Sequence, residues 1–407
     1  EMLDKEEYKL HREKIMANVP NKSAMILFAR RPSEFKALPD KNFYYATGIK
    51  ENDDIVFIVK NNDNIEATIL VSEYDAFKAK WVGCGMTKEE AIAISGADSA
   101  AYLKDFNTIL NTYISLGYEM YFDFDDANMT SNEVSELNGL VTKIKSKYPY
   151  AVIKNARPYL RTARTIKTPN EIEEIRKAID ATRHGIEALM KNAKDGLYEY
   201  QLESYFDQQI KYYGADGYSF NTIAASGKNS CCLHYSQNNS IMHNGDLILF
   251  DLGSTNNAYC ADISRTFPIN GKFSPRQKEI YEIVLNGQKL IFNSIKPGLT
   301  TRDLNKILVD YYKVELKRIG LIKEDSEVTK YYFHGVSHHL GLDCHDLCDY
   351  TPLKAGSVIS NEPGLYIPEE NIGIRIEDDV LVTENGCENL SKSIIKEISE
   401  IEAFMKK

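Results

Sequence analysis

Residues 334–346 read HGVSHHLGLDCHD and hold four of the chain's eight histidines, three of them, His334, His338 and His345, at near-even intervals. A histidine-dense run is either a solvated chelating tract or part of a built site. The interleaved Val336, Leu340 and Leu342 argue for the second, because a solvated tract has no use for alternating apolar residues. Gly335 and Gly341 exclude a long helix. The stretch is therefore expected to be short, partly buried and turn-punctuated, with its imidazoles facing a cavity. Cys344 and Cys348 flank His345 and suggest a thiolate zinc site, but oxygen ligands elsewhere make a better set, and a thiolate site is not expected.

Outward from this stretch, the bounds are those of an ordinary globular chain. At 407 residues it is too long for one core, so two domains are expected, 1–160 and 161–407. A net charge of −10 leaves no basic surplus to hold phosphates, which excludes nucleic acid and anionic membrane as partners. No apolar window reaches membrane-spanning length. The opening EMLDKEEYKLHREKIMANV is charged and helix-patterned, without the apolar core of a secretory signal. The seven cysteines are scattered and contain no CxxC pair. That usage fits reduced thiols, and a cytoplasmic location is expected.

Along the chain, an opening helix at 4–17 precedes strand-like runs at 24–29, 54–60, 66–71 and 119–124, with helical patterns near 73–80 and 130–146. Alternation of this kind predicts an α/β domain. FYYATG at 43–48 and the single Trp81 are expected in its core. The basic, two-proline stretch 157–169 reads as an aperiodic boundary. It ends in Thr168-Pro169-Asn170-Glu171, a capping box with proline at the first helical position, so a helix should run to about Lys191. GLYEYQL from Gly196 and GLTTRDL from Gly298 each lie between helical patterns, which suggests two similar halves with a site between them.

The polar residues divide between those halves. ILFDLGSTNNAYCADISRTF places Asp251 after an apolar strand and Asp262 beyond a turn-rich segment, as if on facing arms of a hairpin. Two buried aspartates there would repel unless a cation joined them. The competing reading, exposed turn aspartates, stays open on these residues alone. VISNEPGLYI ends a strand at Glu362, and IGIRIEDDVLV carries Glu377 on an alternating one. Asp251, Asp262, His338, Glu362 and Glu377 together offer four negative charges and one imidazole, matching two divalent cations. Oxygen-rich ligation favours Mn²⁺, with Co²⁺, Fe²⁺ or Zn²⁺ as alternatives.

The order Asp, Asp, His, Glu, Glu at these spacings resembles the pita-bread metallopeptidases over essentially the whole chain, and within them aminopeptidase P, with prolidase next. DLGSTNNAYCADISRTFPINGKFS, HGVSHHLGLDCHD, NEPGLY and GIRIEDD carry the resemblance, and FYYATGIKENDDIVFIVK resembles the creatinase-like domain that precedes the catalytic one. The resemblance implies an α/β fold in which a creatinase-like domain is followed by a pseudo-two-fold pita-bread domain. It implies that Asp251 binds one metal, that Asp262 and Glu377 bridge, and that His338 and Glu362 complete the other. It implies that His234 and His345 face the substrate and stabilise the developing oxyanion, and that Glu362 takes a proton during attack. His334 would lie at the mouth of the cavity, while Tyr366 and Arg375, grouped with the substrate-binding residues, would stand behind the ligands. The implied activity is release of the first residue from peptides with proline second, by a homodimer. Prolidase activity and a non-catalytic peptide-binding module are the rivals. Creatinases lack these ligands and methionine aminopeptidases lack the first domain, which argues against both.

Overall fold

IVFIVKN, rich in β-branched and aromatic residues, and the largely apolar SAMILF become adjacent central strands of a six-stranded mixed sheet. The computed structural model describes residues 3–29, 39–51, 53–83, 85–124 and 136–406, and the chain divides into the units Glu1–Arg164 and Thr165–Lys407. In the first unit the strands are β1 (Ser23–Phe28), β2 (Ile55–Asn61), β3 (Asn64–Val71), β4 (Ser99–Tyr102), β5 (Glu119–Phe122) and β6 (Ile153–Asn155), in the order β4-β3-β2-β1-β5-β6. Helices α1 (Lys5–Met16), α2 (Lys41–Thr47) and α4 (Lys88–Ser95) contact these strands. Ile26, Phe57, Leu70 and Phe122 form a core with Leu110 and Ile114 of α5 (Phe106–Ser115) and Ile144 of α6 (Glu136–Lys147). Of the helical pattern expected at 130–146, the described part from Glu136 onward is helix, and residues 130–135 lie outside the described ones.

FYYATG falls on α2 and its C-cap, where Phe43, Tyr44 and Tyr45 are buried as expected. Trp81 is not in the core. It lies on α3 (Ala76–Val82), 76% exposed beside the equally exposed Phe77. The helix is too short to turn a full apolar stripe inward. The boundary stretch also departs from expectation, since Arg157–Thr165 is a helix, α7. Pro158 sits in its first turn, where a missing N–H costs nothing, and Leu160 and Ala163 are buried three positions apart.

The second unit repeats a helix–helix–strand plan. α8 (Pro169–Asn192) packs on α9 (Glu199–Tyr212), and α10 (Pro275–Ser294) packs on α11 (Thr301–Arg318). α8 opens on the expected Thr168/Glu171 capping box, and α10 opens on the same device, Ser274/Gln277 with Pro275. The chain then continues through β7 (Gly217–Tyr218), β8 (Ile223–Ser226), β9 (Leu247–Leu252), β10 (Ser254–Asn256), β11 (Tyr259–Cys260) and β12 (Ile263–Pro268) in the first half. The second half supplies β13 (Val358–Asn361), β14 (Gly364–Ile367), β15 (Ile372–Arg375), β16 (Asp378–Val382) and β17 (Cys387–Asn389), and α12 (Ile398–Met405) ends the unit.

Two expected strand placements are corrected. β9 and β12 do pair antiparallel, but Asp251 faces Ser264, and Asp262 lies one residue before β12. A second hairpin, β10–β11, occupies the connection and shifts the register. The run carrying Glu377 is two strands in different sheets, with Ile376 and Glu377 at the break. Glu377 is held there by a bridge to Ser264, its N–H donating to the Ser264 carbonyl at 3.0 Å. Among the described residues no helix is long and apolar enough to cross a membrane.

Candidate metal centre

The strand ends of the second unit open onto a cavity of about 640 Å³ lined by Asp251, Asp262, His338, Glu362 and Glu377, together with His234, His334, His345 and Arg375. Nine of the ten residues expected at the site therefore share one cavity. The tenth, Tyr366, is 1% exposed and lies behind it. His339, the fourth histidine of the 334–346 stretch, does not line it and instead bridges to Ile359 of β13. The far end of the stretch is anchored by a buried ion pair, Lys167 to Asp346 at 2.8 Å.

His338 is the hub. Its Nε2 lies 3.3 Å from Asp262 Oδ2, 3.3 Å from Glu362 Oε1 and 3.9 Å from Glu377 Oε1. Its Nδ1 is 2.9 Å from the His339 carbonyl, which can only accept. A proton is thereby held on Nδ1, and Nε2 is the nitrogen that faces the three carboxylates. Hydroxyls that the sequence did not single out steer the carboxylates. Ser264 Oγ donates to Glu377 Oε2 at 2.8 Å, and Ser360 Oγ donates to Glu362 Oε1 at 3.2 Å. The Asp262 N–H donates to Asp379 Oδ2 at 3.0 Å.

Behind Glu377, Arg265 is fully buried and donates to the carbonyls of Glu377 (2.7 Å), Ile394 (3.0 Å) and Ile395 (3.0 Å) and to Asp378 Oδ1 (2.7 Å). Arg375 donates to Asp251 Oδ2 at 2.9 Å, to Tyr366 Oη at 2.9 Å and to Ser264 Oγ at 3.0 Å. Tyr366 Oη in turn meets His334 Nε2 at 2.8 Å, while His334 Nδ1 donates to the Gly335 carbonyl at 2.8 Å. Both nitrogens of His334 are thus engaged, and what it offers the cavity is ring edge.

The electrostatics are those of an over-charged anion cluster. Burial, with the neighbouring Asp262 adding to it, raises Asp251 to about 6 against the pull of Arg375. Burial and the charges of Asp262 and Asp251 raise Glu362 to about 7, and burial raises Glu377 well above the carboxylate range. Burial works against a charged His338, but its hydrogen bond to Asp262 and the charge on Glu362 outweigh that and hold it up to about 10. Burial pushes His334 down to about 4 and lowers His345. Asp251 Oδ1 and Glu377 Oε1 are buried with no hydrogen-bond partner, and ligand atoms of Asp262, His338 and Glu377 lie within 4.8 Å of one another. Unsatisfied buried carboxylate oxygens are costly alone and suited to divalent cations, so these residues fit a metal.

The chain is similar to known proteins over nearly its whole length. Residues 173–384 match metallopeptidase family M24, and residues 8–121 match the aminopeptidase P N-terminal domain. The chain is 31% identical to the Xaa-Pro aminopeptidase of Escherichia coli K12, covering 99% of this chain and 98% of that one. It is also 31% identical to intermediate cleaving peptidase 55 of Saccharomyces cerevisiae, covering 98% and 84%. Among solved structures, a Bacillus anthracis chain assigned as an aminopeptidase P superposes with a TM-score of 0.95 at 43% identity, covering 99% and 98%. Aminopeptidase P of E. coli bound to the inhibitor Pro-Leu superposes with a TM-score of 0.89 at 30% identity, covering 100% and 99%.

Proposed function

Because the chain belongs to metallopeptidase family M24, with the two-domain pita-bread fold of aminopeptidase P, we propose that the hydrolysis it performs is release of the first residue from peptides whose second residue is proline. The observation that carries this reading is the convergence of five ligand-type side chains from both halves of one unit, with buried carboxylate oxygens left unsatisfied. In this reading Asp251, Asp262, His338, Glu362 and Glu377 would hold two divalent ions, Mn²⁺ in the first instance. Such ions supply hydroxide at neutral pH and polarise the scissile carbonyl.

The chain's own residues do the rest. Glu362, with Ser360 fixing one of its oxygens, takes a proton during the attack and returns it to the departing proline nitrogen. His234 and His345 line the cavity and supply hydrogen bonds to the oxygen of the attacked carbonyl. Arg375 keeps Asp251 oriented and ionised, and Tyr366 ties Arg375 to His334. An Xaa-Pro bond has no N–H, so the site needs shape around the ring rather than an acceptor. Proline selectivity comes from likeness to the relatives, of which the E. coli enzyme binds Pro-Leu.

The experiment is a mass-spectrometric digest of an Xaa-Pro dipeptide and an Xaa-Pro-Yaa tripeptide, with Mn²⁺ and with chelator. Metal-dependent loss of the first residue from the tripeptide supports the reading. Cleavage of the dipeptide alone makes the enzyme a prolidase, and no cleavage of either defeats the proposal. A homodimer belongs to the same reading, supported by Tyr74, Phe77 and Trp81, which stand 73%, 72% and 76% exposed on the first unit. A monomeric mass at micromolar concentration would remove it.

A further inference from the structure

Cys344 is not a bystander at the rim of the cavity. Its thiol donates to Asp262 Oδ2 at 2.9 Å, the same oxygen that lies 3.3 Å from His338 Nε2. The rings of His338 and His345 are 4.2 Å apart, and ligand atoms of His338, Cys344 and His345 all lie within 4.8 Å of one another. Metal–donor bonds of about 2.0–2.3 Å place the donors of one ion within about 4 Å of each other. Small rotations of the half-buried Cys344 and the exposed His345 close that gap. One sulfur and two imidazoles beside a carboxylate make a donor set of soft character, unlike the oxygen-rich set across the same cavity.

We propose that Cys344, His338 and His345 form a second metal site that takes a thiophilic divalent cation, Zn²⁺ or Cd²⁺, and overlaps the carboxylate centre through His338 and Asp262. Loading breaks the S–H bond, forms a metal–sulfur bond and releases one proton to solvent, with no change of oxidation state. Because His338 belongs to both clusters, a soft ion and the hard-ion pair compete for it. The cavity thus holds either the hydrolytic metals or the soft ion at His338. The proposal shares residues with the hydrolytic reading, but its test separates the two.

The full chain, stripped with chelator, is titrated with Co²⁺ and followed by absorption. The wild type is expected to develop a near-ultraviolet sulfur-to-cobalt charge-transfer band. Cys344→Ser should lose that band yet take up Mn²⁺ at wild-type stoichiometry, and Cys348→Ser should keep it. Cd²⁺ should displace Mn²⁺ from the wild type at a concentration about ten- to hundredfold lower than from Cys344→Ser, the usual scale for losing a partner at a metal site. Absence of the band from the wild type, its persistence in Cys344→Ser, or equal displacement from the two proteins overturns the proposal. Should the variant fold poorly, iodoacetamide labelling of the wild type with peptide mapping replaces it: Cd²⁺ protects Cys344 and Mg²⁺ does not, and equal labelling overturns the idea. A cobalt–sulfur band in a protein that takes up no Mn²⁺ would uphold this site while defeating the hydrolytic one.

Discussion

Replacing Arg265 by methionine keeps most of the side-chain volume and removes the guanidinium that fastens Glu377 from behind. The side chain is fully buried. Its loss leaves Asp378 with Lys396 at 2.6 Å as its remaining cation and deprives the carbonyls of Glu377, Ile394 and Ile395 of a donor. Breaking a buried ion pair by removing one partner costs about 3–5 kcal/mol. Each buried carbonyl left without a donor adds about 1 kcal/mol at the low end. Retention of Lys396 keeps the ion-pair part near its lower bound, so a loss of about 5–7 kcal/mol is expected, against a whole-domain stability of about 5–15 kcal/mol. The assay is urea unfolding in chelator, followed by far-UV circular dichroism, because the single tryptophan, Trp81, lies in the other unit and would not report. Arg265→Lys, which reaches fewer partners, should fall between wild type and methionine. A loss below about 1 kcal/mol for Arg265→Met would refute the claim that this network fixes the Glu377 strand break.

Metal-free protein should lose stability as pH rises from about 4 to about 7, because Asp251 and Glu362, at about 6 and about 7 in the folded state, and Glu377 and Asp379, raised well above their usual range, hold protons there that the unfolded chain releases, outweighing the opposite contribution of His334 and His339, which burial holds at about 4. Thermal melts in chelator across that range check it, and a flat or rising Tm would contradict it. Gly253→Ala should cut Mn²⁺ binding and lower Tm, since a Cβ there would meet the Ala261 carbonyl oxygen at 1.8 Å and push on the residue before Asp262; unchanged binding by calorimetry would show that the backbone yields freely. Tyr366→Phe removes the hydroxyl joining Arg375 to His334 and should lower kcat/KM about tenfold, the scale of one buried hydrogen bond of about 1.4 kcal/mol, with Mn²⁺ content unchanged.

Much of the site was legible because each ligand stands where an apolar run stops. Asp251 near the end of LILFDL, Glu362 after VISN and His338 between Val336 and Leu340 are polar residues with little reason to be there except chemistry. What aligned them could not be read. Ser264 meets Glu377 across 113 positions and Arg265 meets Asp378 across 113, and nothing local marks such pairs. The hairpin geometry was misjudged because the turn-rich STNNAYC segment, read as a loop, makes strands of its own. The two-proline stretch 157–169 reads as an aperiodic boundary although a first-turn proline such as Pro158 is tolerated in a helix, and Trp81 reads as core by its hydrophobicity, which a short surface helix does not honour. The second capping box, Ser274-Pro275-Arg276-Gln277, was a repeat signal as clear as the first and would have strengthened the two-half reading.

The pairing of Arg375 with Asp251 across 124 positions also governs how the protein is made. Closing so long a loop is an entropic expense met only when both halves are present, so ligation is a late event and not a nucleus. During synthesis, Asp251 and Asp262 emerge well before His338, Glu362 and Glu377, so under the proposed ligation the set of five stays incomplete until Glu377 has left the ribosome. Under that ligation, ion choice would be made by the finished fold, in competition among whatever cations surround it, rather than by the unfolded polypeptide.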